Sequence, residues 1–198
     1  GTFSTDEKIA GREDLCGEHY AVPAVHACHL ENNTCFAYMD GRRMVVYSCN
    51  QVPHTLRRNI AEAIGMPLGD VRVVKPFLGG GFGNKQDTMY EPLVALASQR
   101  LGGRCVAITL SREETFVNTR TRHGFDMTIA AAADEAGDLT HRGIRINSNG
   151  GSYAAHTHAV AAYAVTSNFQ TYKASAVQIG ESSTVYTNLP SAAAMRGY

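Results

Sequence analysis

Between residues 44 and 110 the sequence alternates between short apolar runs and segments with helical spacing. The apolar runs are Met44–Cys49, Val71–Phe77 and Cys105–Leu110, and each predicts a strand. The segments between them predict helices, so the order is β-α-β-α-β. Two successive crossovers of this kind are typical of a parallel sheet. Ligands of such sheets lie beyond the carboxyl ends of the strands. Asn50 and Gln51 leave the first strand and a glycine-rich loop leaves the second, so we expect them side by side at the same edge.

The two predicted helices have recognisable ends. The first begins near Pro53 and stops at Gly65, and its apolar residues recur at helical spacing: Leu56, Ile60, Ala63 and Ile64. The second runs through "MYEPLVALASQRLGG" and stops at the glycine pair. We expect its buried face to carry Met89, Leu93, Leu96, Ala97 and Leu101.

The flanking regions are more β-like. "TCFAY" and "MVVYSC" flank Asp40-Gly41, which predicts a hairpin, and a second hairpin is predicted around "DEAGD". "NGGSYAAHTHAVAAYAVTSNF" predicts a helix, and "ASAVQI" and "STVY" predict short strands. The predicted fold class is mixed α/β (α+β), with crossover units plus antiparallel hairpins. We expect residues 1–20 to be an arm or linker and residues 21–198 to be one domain, cut off at its C-terminus after "AAAMRGY".

Composition narrows the classes of function. The chain has 198 residues, with 18 Lys+Arg and 18 Asp+Glu, so its net charge is zero. This balance disfavours a nucleic-acid or membrane-surface binder, which would need excess basic charge. Five cysteines without a CxxC pair indicate reduced thiols in a cytoplasmic protein. "HACH" and Cys35 supply zinc-ligand types, yet their spacing fits no standard zinc site.

The glycine-rich stretch "VVKPFLGGGFGNKQD" follows a predicted strand, where phosphate-binding loops occur. A P-loop needs Gly-Lys-Ser/Thr, whereas this loop has Asn84-Lys85-Gln86. The dinucleotide fingerprint fails too, because the sixth position is Asn84 or Gln86 instead of glycine. Two readings remain open: bare backbone that approaches a ligand, or a tight turn with Phe82 as a core plug. Lys85 could bind a phosphate or be solvated.

Several motifs together resemble a known family. "GGGFGNKQ", preceded by "YSCNQVPH" and followed by "LSREETF", is similar to the molybdenum-cofactor-binding subunit of the xanthine dehydrogenase/aldehyde oxidase family, in its prokaryotic branch. "HACHLENNTCFAY" and "YTNLPSAAAMRGY" match further segments of that family in the right order. The resemblance runs from about residue 20 to the end of the chain.

The resemblance implies a set of site residues. Gln51 matches a glutamine whose amide hydrogen-bonds a ligand of molybdenum, and the loop at Phe82 matches main chain lying against the molybdopterin. Arg196 matches an arginine whose backbone approaches the metal's ligands. Gln86 and Tyr198 occupy substrate-contacting positions, although animal enzymes have a glutamate at the former. The implied cofactor-binding residues are Gln51, Gly81, Phe82, Gly83 and Arg196, of which Gln51, Phe82 and Arg196 would surround molybdenum through its ligands.

The resemblance also implies an activity. The family hydroxylates electron-poor carbons with water as the oxygen source, and a purine such as hypoxanthine or xanthine is the expected substrate. The substrate-binding arginine of animal enzymes would fall near Ala164 and is absent, so an aldehyde or nicotinate-like N-heterocycle stays an alternative. A non-catalytic module with a structural glycine turn is the alternative of another class.

The cofactor implied is molybdenum-molybdopterin, with a cytosine dinucleotide form as a variant. Iron–sulfur clusters and FAD are expected on other domains or subunits, in an oligomer when the protein is full length. The family's catalytic base belongs to a distal C-terminal portion that nothing in this chain matches. The isolated chain is therefore expected to be inactive, with no nucleic-acid or membrane partner.

Overall fold

The computed structural model describes residues 16–173, 175 and 177–193. The chain divides into two compact units. The loop unit contains residues 27–120, and the hairpin unit contains residues 16–26 and 121–193. No helix in the described ranges has both the length and the apolar character needed to cross a membrane.

Both units combine strands and helices, which confirms the predicted mixed α/β class. In chain order the elements are β1 (Cys16–Val22), β2 (Thr34–Asp40), β3 (Arg43–Ser48), α1 (Pro53–Ile64), β4 (Val71–Val74), α2 (Glu91–Arg100), β5 (Val106–Thr109), α3 (Arg112–Asn118), β6 (Gly124–Ala133), β7 (Leu139–Asn149), α4 (Thr157–Gln170) and β8 (Val177–Val185).

The sheet of the loop unit has the order β4-β3-β2-β5. The β2–β3 hairpin is confirmed, with Gly41 at φ 58° in its turn. Strands β3 and β4 are parallel neighbours joined by α1, so the first crossover is confirmed. The second crossover does not extend a parallel sheet as expected, because β5 pairs with β2 in antiparallel register. The result is a mixed sheet in which β2 lies between β3 and β5.

The turn after α2 explains where β5 lies. Gly103 has φ 86°, and its carbonyl accepts the Met39 N–H at 3.1 Å. A Cβ at Gly103 would be only 2.8 Å from Met39 Cβ, so this close approach requires glycine. Because the turn is tied to the end of β2, the strand that follows joins the free edge of β2.

Helix α1 forms as the sequence predicts. It begins at Pro53, whose missing N–H costs nothing in the first turn, and it ends at Gly65 in the left-handed conformation. Leu56, Ile60 and Ile64 are buried against the sheet, as expected. Ala61 is the fourth buried residue, whereas Ala63, predicted on this face, is exposed.

The prediction for α2 was wrong about its buried face. Leu93 is 61% exposed and Leu101 is 56% exposed. The buried side chains are instead Glu91, Val94, Ala95 and Ser98. Two of these are polar and hydrogen-bonded: Ser48 Oγ, in β3, donates to Glu91 Oε1 at 2.7 Å, and Ser98 Oγ donates to the Arg104 carbonyl, six residues further on, at 2.7 Å. Because buried polar groups need partners, these two hydrogen bonds favour burial of Glu91 and Ser98 over burial of the leucines.

The hairpin unit contains a sheet of order β1-β6-β7-β8. The predicted β6–β7 hairpin and the α4 helix are both confirmed. The two predicted short strands are one strand, β8, which runs parallel to β7. Gly180 of β8 lies under α4, where a Cβ would be 2.3 Å from Val165 Cγ1, so the helix packs directly on the strand.

The first described strand includes the end of the predicted arm. Residues 16–20 belong to β1, which pairs antiparallel with β6. Residues 1–15 lie outside the described residues. The division of residues 21–198 as one cofactor-binding domain stays a prediction.

Candidate functional site

Gln51 and the glycine-rich loop meet at one edge of the loop unit. Gln51 follows β3 and the loop follows β4, and these parallel neighbours end at the same edge of the sheet. The Gln51 side-chain oxygen accepts the Gly83 N–H at 2.9 Å and the Lys85 N–H at 3.2 Å. The Gln51 N–H donates to the Lys85 carbonyl at 2.7 Å. The predicted neighbours are therefore joined by three hydrogen bonds.

These contacts fix the direction of the Gln51 amide. Two backbone N–H donors meet Oε1, and an amide nitrogen could not accept from them. Nε2 is therefore directed away from the loop backbone that binds Oε1. No acceptor for Nε2 is recorded among the residues that the structure describes. The half-buried Gln51 thus presents an oriented amide donor.

The glycines let the loop backbone lie directly on its neighbours. A Cβ at Gly81 would be 2.6 Å from Cδ and Oε1 of Gln51, and a Cβ at Gly79 would be 2.6 Å from Glu31 Cβ. Gly80 and Gly83 have φ of 101° and 93°. No other residue type combines this space and this backbone freedom.

Phe82 does not act as a core plug. Its side chain is 40% exposed, which contradicts the reading of Phe82 as a buried anchor. Its φ is 53°, a left-handed conformation that costs a non-glycine residue on the order of 1 kcal/mol. Strain of this kind is concentrated at ligand sites, so the loop conformation favours a binding role.

Lys85 contradicts both readings that the sequence left open. Its side chain is 1% exposed, and its ammonium contacts Glu31 Oε2 at 2.7 Å. It also donates to the Glu31 carbonyl at 2.9 Å. Lys85 is therefore neither solvated nor directed at a phosphate.

Polar groups beneath the edge hold the chain on both sides of Gln51. Asn50 Oδ1 accepts the Val52 N–H at 2.8 Å, and Asn50 Nδ2 donates to the Asp87 carbonyl at 2.9 Å. The Asp87 carboxylate pairs with Arg120 Nε at 2.9 Å. Asn50 and Asp87 thereby connect Gln51 to the far end of the glycine loop.

Sequence reasoning missed two residues of this region. Glu31 lies in "HACHLENN", a segment singled out only for its resemblance, and its role depends on a contact 54 positions away in sequence. Buried Glu91 binds the N–H groups of Met89 and Tyr90 at 3.0 and 3.1 Å. The available signal was its place beside Pro92 at the start of a helix, where a carboxylate favours the exposed N–H groups.

The other predicted residues are distributed as follows. Gln86 is half-buried at the end of the loop, and its N–H donates to the Gly83 carbonyl at 3.3 Å. Arg196 and Tyr198 lie outside the described residues. No cluster of His, Cys, Asp and Glu suited to hold a metal ion directly occurs in the described ranges. Burial raises the pKa of the Cys35 thiol, which further disfavours zinc binding by "HACH" and Cys35.

The mixed sheet places the glycine-rich loop and the Gln51 amide at one edge of the loop unit. A model of the molybdopterin cofactor-binding domain matches residues 4–198, and the chain belongs to this family. The resemblance to the xanthine dehydrogenase/aldehyde oxidase family is thereby confirmed.

Individual relatives agree with this family. The xanthine dehydrogenase molybdenum-binding subunit of Escherichia coli O157:H7 is 42% identical over 181 residues, which are 91% of this chain and 24% of that protein. The carbon monoxide dehydrogenase large chain of Hydrogenophaga pseudoflava is 31% identical over 73% of this chain and 18% of that protein. The chain thus spans about a quarter or less of the length of these relatives.

A solved structure has the same fold. The aldehyde oxidoreductase of Desulfovibrio gigas superposes with a TM-score of 0.89 over 99% of this chain and 22% of that chain, at 23% identity. At this identity the likeness establishes the fold alone.

Proposed function

We propose that the edge formed by Gln51 and residues 79–83 holds part of a molybdenum-molybdopterin cofactor. The observation that carries this proposal is the Gln51 amide, whose oxygen is fixed by Gly83 and Lys85 so that Nε2 can donate to a ligand. A cofactor with electronegative groups fits such a donor, and the glycines leave main chain open to it. When bound, this cofactor supplies the oxidative hydroxylation of an electron-poor carbon with water as the oxygen source.

The chain's own residues would bind and orient. Gln51 Nε2 would donate to a ligand of the metal, and the backbone at Gly81, Phe82 and Gly83 would lie against the pterin dithiolene. Arg196 would contribute its backbone to the same group. No residue of this chain is assigned as the catalytic base.

We propose a purine, hypoxanthine or xanthine, as the substrate, with Gln86 and Tyr198 as its contacts. The support is the 42% identity to a xanthine dehydrogenase subunit and the half-buried place of Gln86 at the end of the loop. A neutral amide can both donate to and accept from a purine edge. Aldehydes and other N-heterocycles are the second candidate, because the arginine that would bind a purine near Ala164 is absent.

The proposal includes a larger assembly. Electrons would leave through iron–sulfur clusters and FAD on other domains or subunits, and the complete enzyme would be a cytoplasmic oligomer. Names of relatives as molybdenum-binding subunits support this division of labour.

The test is metal and pterin analysis of the purified enzyme that contains this chain, followed by oxidation assays. We expect molybdenum and pterin in equal amounts, and turnover of hypoxanthine or xanthine above that of aldehydes and nicotinate. Faster turnover of an aldehyde or nicotinate would replace the purine proposal. Absence of both molybdenum and pterin from a correctly matured preparation would favour a non-catalytic module.

A further inference from the structure

A buried ion pair lies beneath the glycine-rich loop. The Lys85 side chain is 1% exposed and the Glu31 side chain is 27% exposed, with 2.7 Å between Nζ and Oε2. Removing an ammonium from water is unfavourable unless a counter-charge and hydrogen bonds compensate. Glu31 supplies both, because its backbone carbonyl also accepts from Nζ at 2.9 Å.

The backbone of Lys85 forms two hydrogen bonds with Gln51. Its N–H donates to Gln51 Oε1 at 3.2 Å, and its carbonyl accepts the Gln51 N–H at 2.7 Å. The residue whose side chain is anchored by Glu31 is thus the residue whose backbone orients the proposed cofactor-binding amide. A shift of the Lys85 main chain would move both hydrogen bonds.

Glu31 also holds the beginning of the loop. Its carboxylate accepts the Gly79 N–H at 3.1 Å, and its N–H donates to the Gly79 carbonyl at 3.1 Å. Both ends of the segment 79–85 therefore form hydrogen bonds with Glu31. Between these ends lies Phe82, held at a positive φ of 53°.

The segment that carries Glu31 is itself fixed. His29 is 1% exposed, and its Nδ1 contacts the Glu31 carbonyl at 2.5 Å. The Arg112 guanidinium, in the first turn of α3, donates to the carbonyls of His29 and Leu30 at 2.9 and 2.8 Å. The backbone of residues 29–31 is therefore held in place by hydrogen bonds.

We propose that Lys85 is a positioning residue, which sets the direction of the Gln51 amide and the backbone of the loop, with Glu31 as its counter-charge. This inference rests on the proposed function of Gln51 as a cofactor ligand. It assigns the lysine of "GGGFGNKQ" a role on the inner side of the loop, away from any phosphate.

The kinetic test uses Lys85→Met, Glu31→Gln and the double variant in the complete enzyme. Either single change leaves a charge or a polar partner uncompensated, and both should lower the unfolding midpoint. The double variant has no unpaired ammonium, so its midpoint should recover relative to Glu31→Gln. Its kcat should nevertheless stay lower than wild type by on the order of 10- to 100-fold, because the anchor of the loop is gone. KM should change by less than about twofold.

A matched control is the pair Arg145–Glu181, a half-buried ion pair of 3.1 Å in the hairpin unit. The variant Arg145→Met should leave kcat unchanged. If Lys85 served stability alone, kcat would recover together with the unfolding midpoint in the double variant. A wild-type kcat in the double variant or in Lys85→Met would therefore overturn the proposal.

A second readout separates this inference from the cofactor assignment. Amide hydrogen exchange at Gly83 reports its bond to Gln51 Oε1 whether or not a cofactor is bound. We expect faster exchange at Gly83 in Lys85→Met than in wild type and in Arg145→Met. A wild-type enzyme without molybdenum and pterin would contradict the proposed function but not the positioning role of Lys85. Unchanged Gly83 exchange in Lys85→Met would overturn the positioning role, whether or not the cofactor is present.

Discussion

Two glycine segments of this chain occupy similar places in sequence and differ in how their main chain is used. Residues 79–83 follow β4 and precede α2, and Gly150-Gly151 follows β7 and precedes α4. In the first segment, side chains of Glu31 and Gln51 receive the glycine backbone, and Phe82 is 40% exposed. The first segment therefore has two of its backbone N–H groups bound by side chains instead of by a neighbouring strand.

In the second segment, main chain supplies most of the partners, and the Asn149 side chain accepts the Gly151 N–H at 3.0 Å. The Gly150 N–H donates to the Val185 carbonyl at 2.9 Å, and the Gly150 and Gly151 carbonyls each accept an N–H at 3.0 Å, from Ala192 and Thr187 respectively.

A glycine cluster after a strand thus indicates that another group lies close to the backbone, but it does not indicate whether that group is a ligand or part of the chain. The first segment is held by side chains of Glu31 and Gln51, and we expect it to be the ligand-binding segment. In the second segment the carbonyls of both glycines are paired with main chain, and we expect it to be structural.

The largest effect is expected at Gly151. A Cβ there would be 2.2 Å from the Pro190 carbonyl oxygen, and the backbone has φ 69°. Because backbone cannot move aside as a side chain can, Gly151→Ala should lower the free energy of unfolding by more than about 3 kcal/mol. Urea unfolding measures this loss. A loss of less than about 1 kcal/mol would contradict the structural role of Gly150-Gly151.

A pH dependence of similar size is expected from His123. This fully buried imidazole contacts Thr157 Oγ1 at 3.1 Å, and burial lowers its pKa to about 4 from the ordinary 6.5. Between pH 6.5 and pH 4 the imidazole is protonated in the unfolded chain and neutral in the folded chain. The free energy of unfolding therefore falls as the pH drops from 6.5 to 4. The total loss should be on the order of 3 kcal/mol.

The measurement for His123 is the free energy of unfolding at pH 7 and pH 4.5. His123→Gln removes the titrating group and should flatten the dependence. An equal slope in wild type and His123→Gln would show that other groups cause the acid sensitivity.

At the glycine-rich loop, Gln51 should matter to activity more than to folding. Gln51→Ala removes the oriented donor and should lower kcat of the complete enzyme about 100-fold. Gln51→Glu keeps the shape and an acceptor for Gly83 and Lys85 but replaces the Nε2 donor by an oxygen, so it should be similarly slow. Unchanged kinetics in both variants would remove Gln51 from the site.

The smallest effect is expected from relief of strain at Phe82. Glycine adopts a φ of 53° without steric cost, so Phe82→Gly should change the free energy of unfolding by no more than about 1 kcal/mol in either direction. Retention of molybdenum should fall, because the loop gains freedom. Full retention would show that a rigid Phe82 backbone is not needed at the site.

How much the sequence could predict differs between local and long-range features. The ends of α1 follow from Pro53 and Gly65, and the β2–β3 hairpin follows from Asp40-Gly41, because each depends on neighbouring residues. The buried face of α2 does not, because Ser48, which is 43 positions from Glu91 in sequence, binds that carboxylate, and the Arg104 carbonyl after the helix binds Ser98. Apolar periodicity carries no information about such partners.

The candidate site shows the same division. The order of strands was enough to predict that Gln51 and the glycine loop share an edge. The ion pair between Glu31 and Lys85 joins residues 54 positions apart, and neither residue type specifies its partner. The inward direction of Lys85 therefore became visible only in the folded chain.

The most direct measurement is the molybdenum and pterin content of Gly81→Ala against Gly69→Ala in the complete enzyme. A Cβ at Gly81 would be 2.6 Å from the Gln51 amide, whereas a Cβ at Gly69 would meet nothing within 4 Å. If the glycine-rich loop and Gln51 hold the cofactor, Gly81→Ala loses most of both components and Gly69→Ala keeps them. Wild-type molybdenum and pterin content in folded Gly81→Ala would contradict the assignment of this edge as the molybdopterin site.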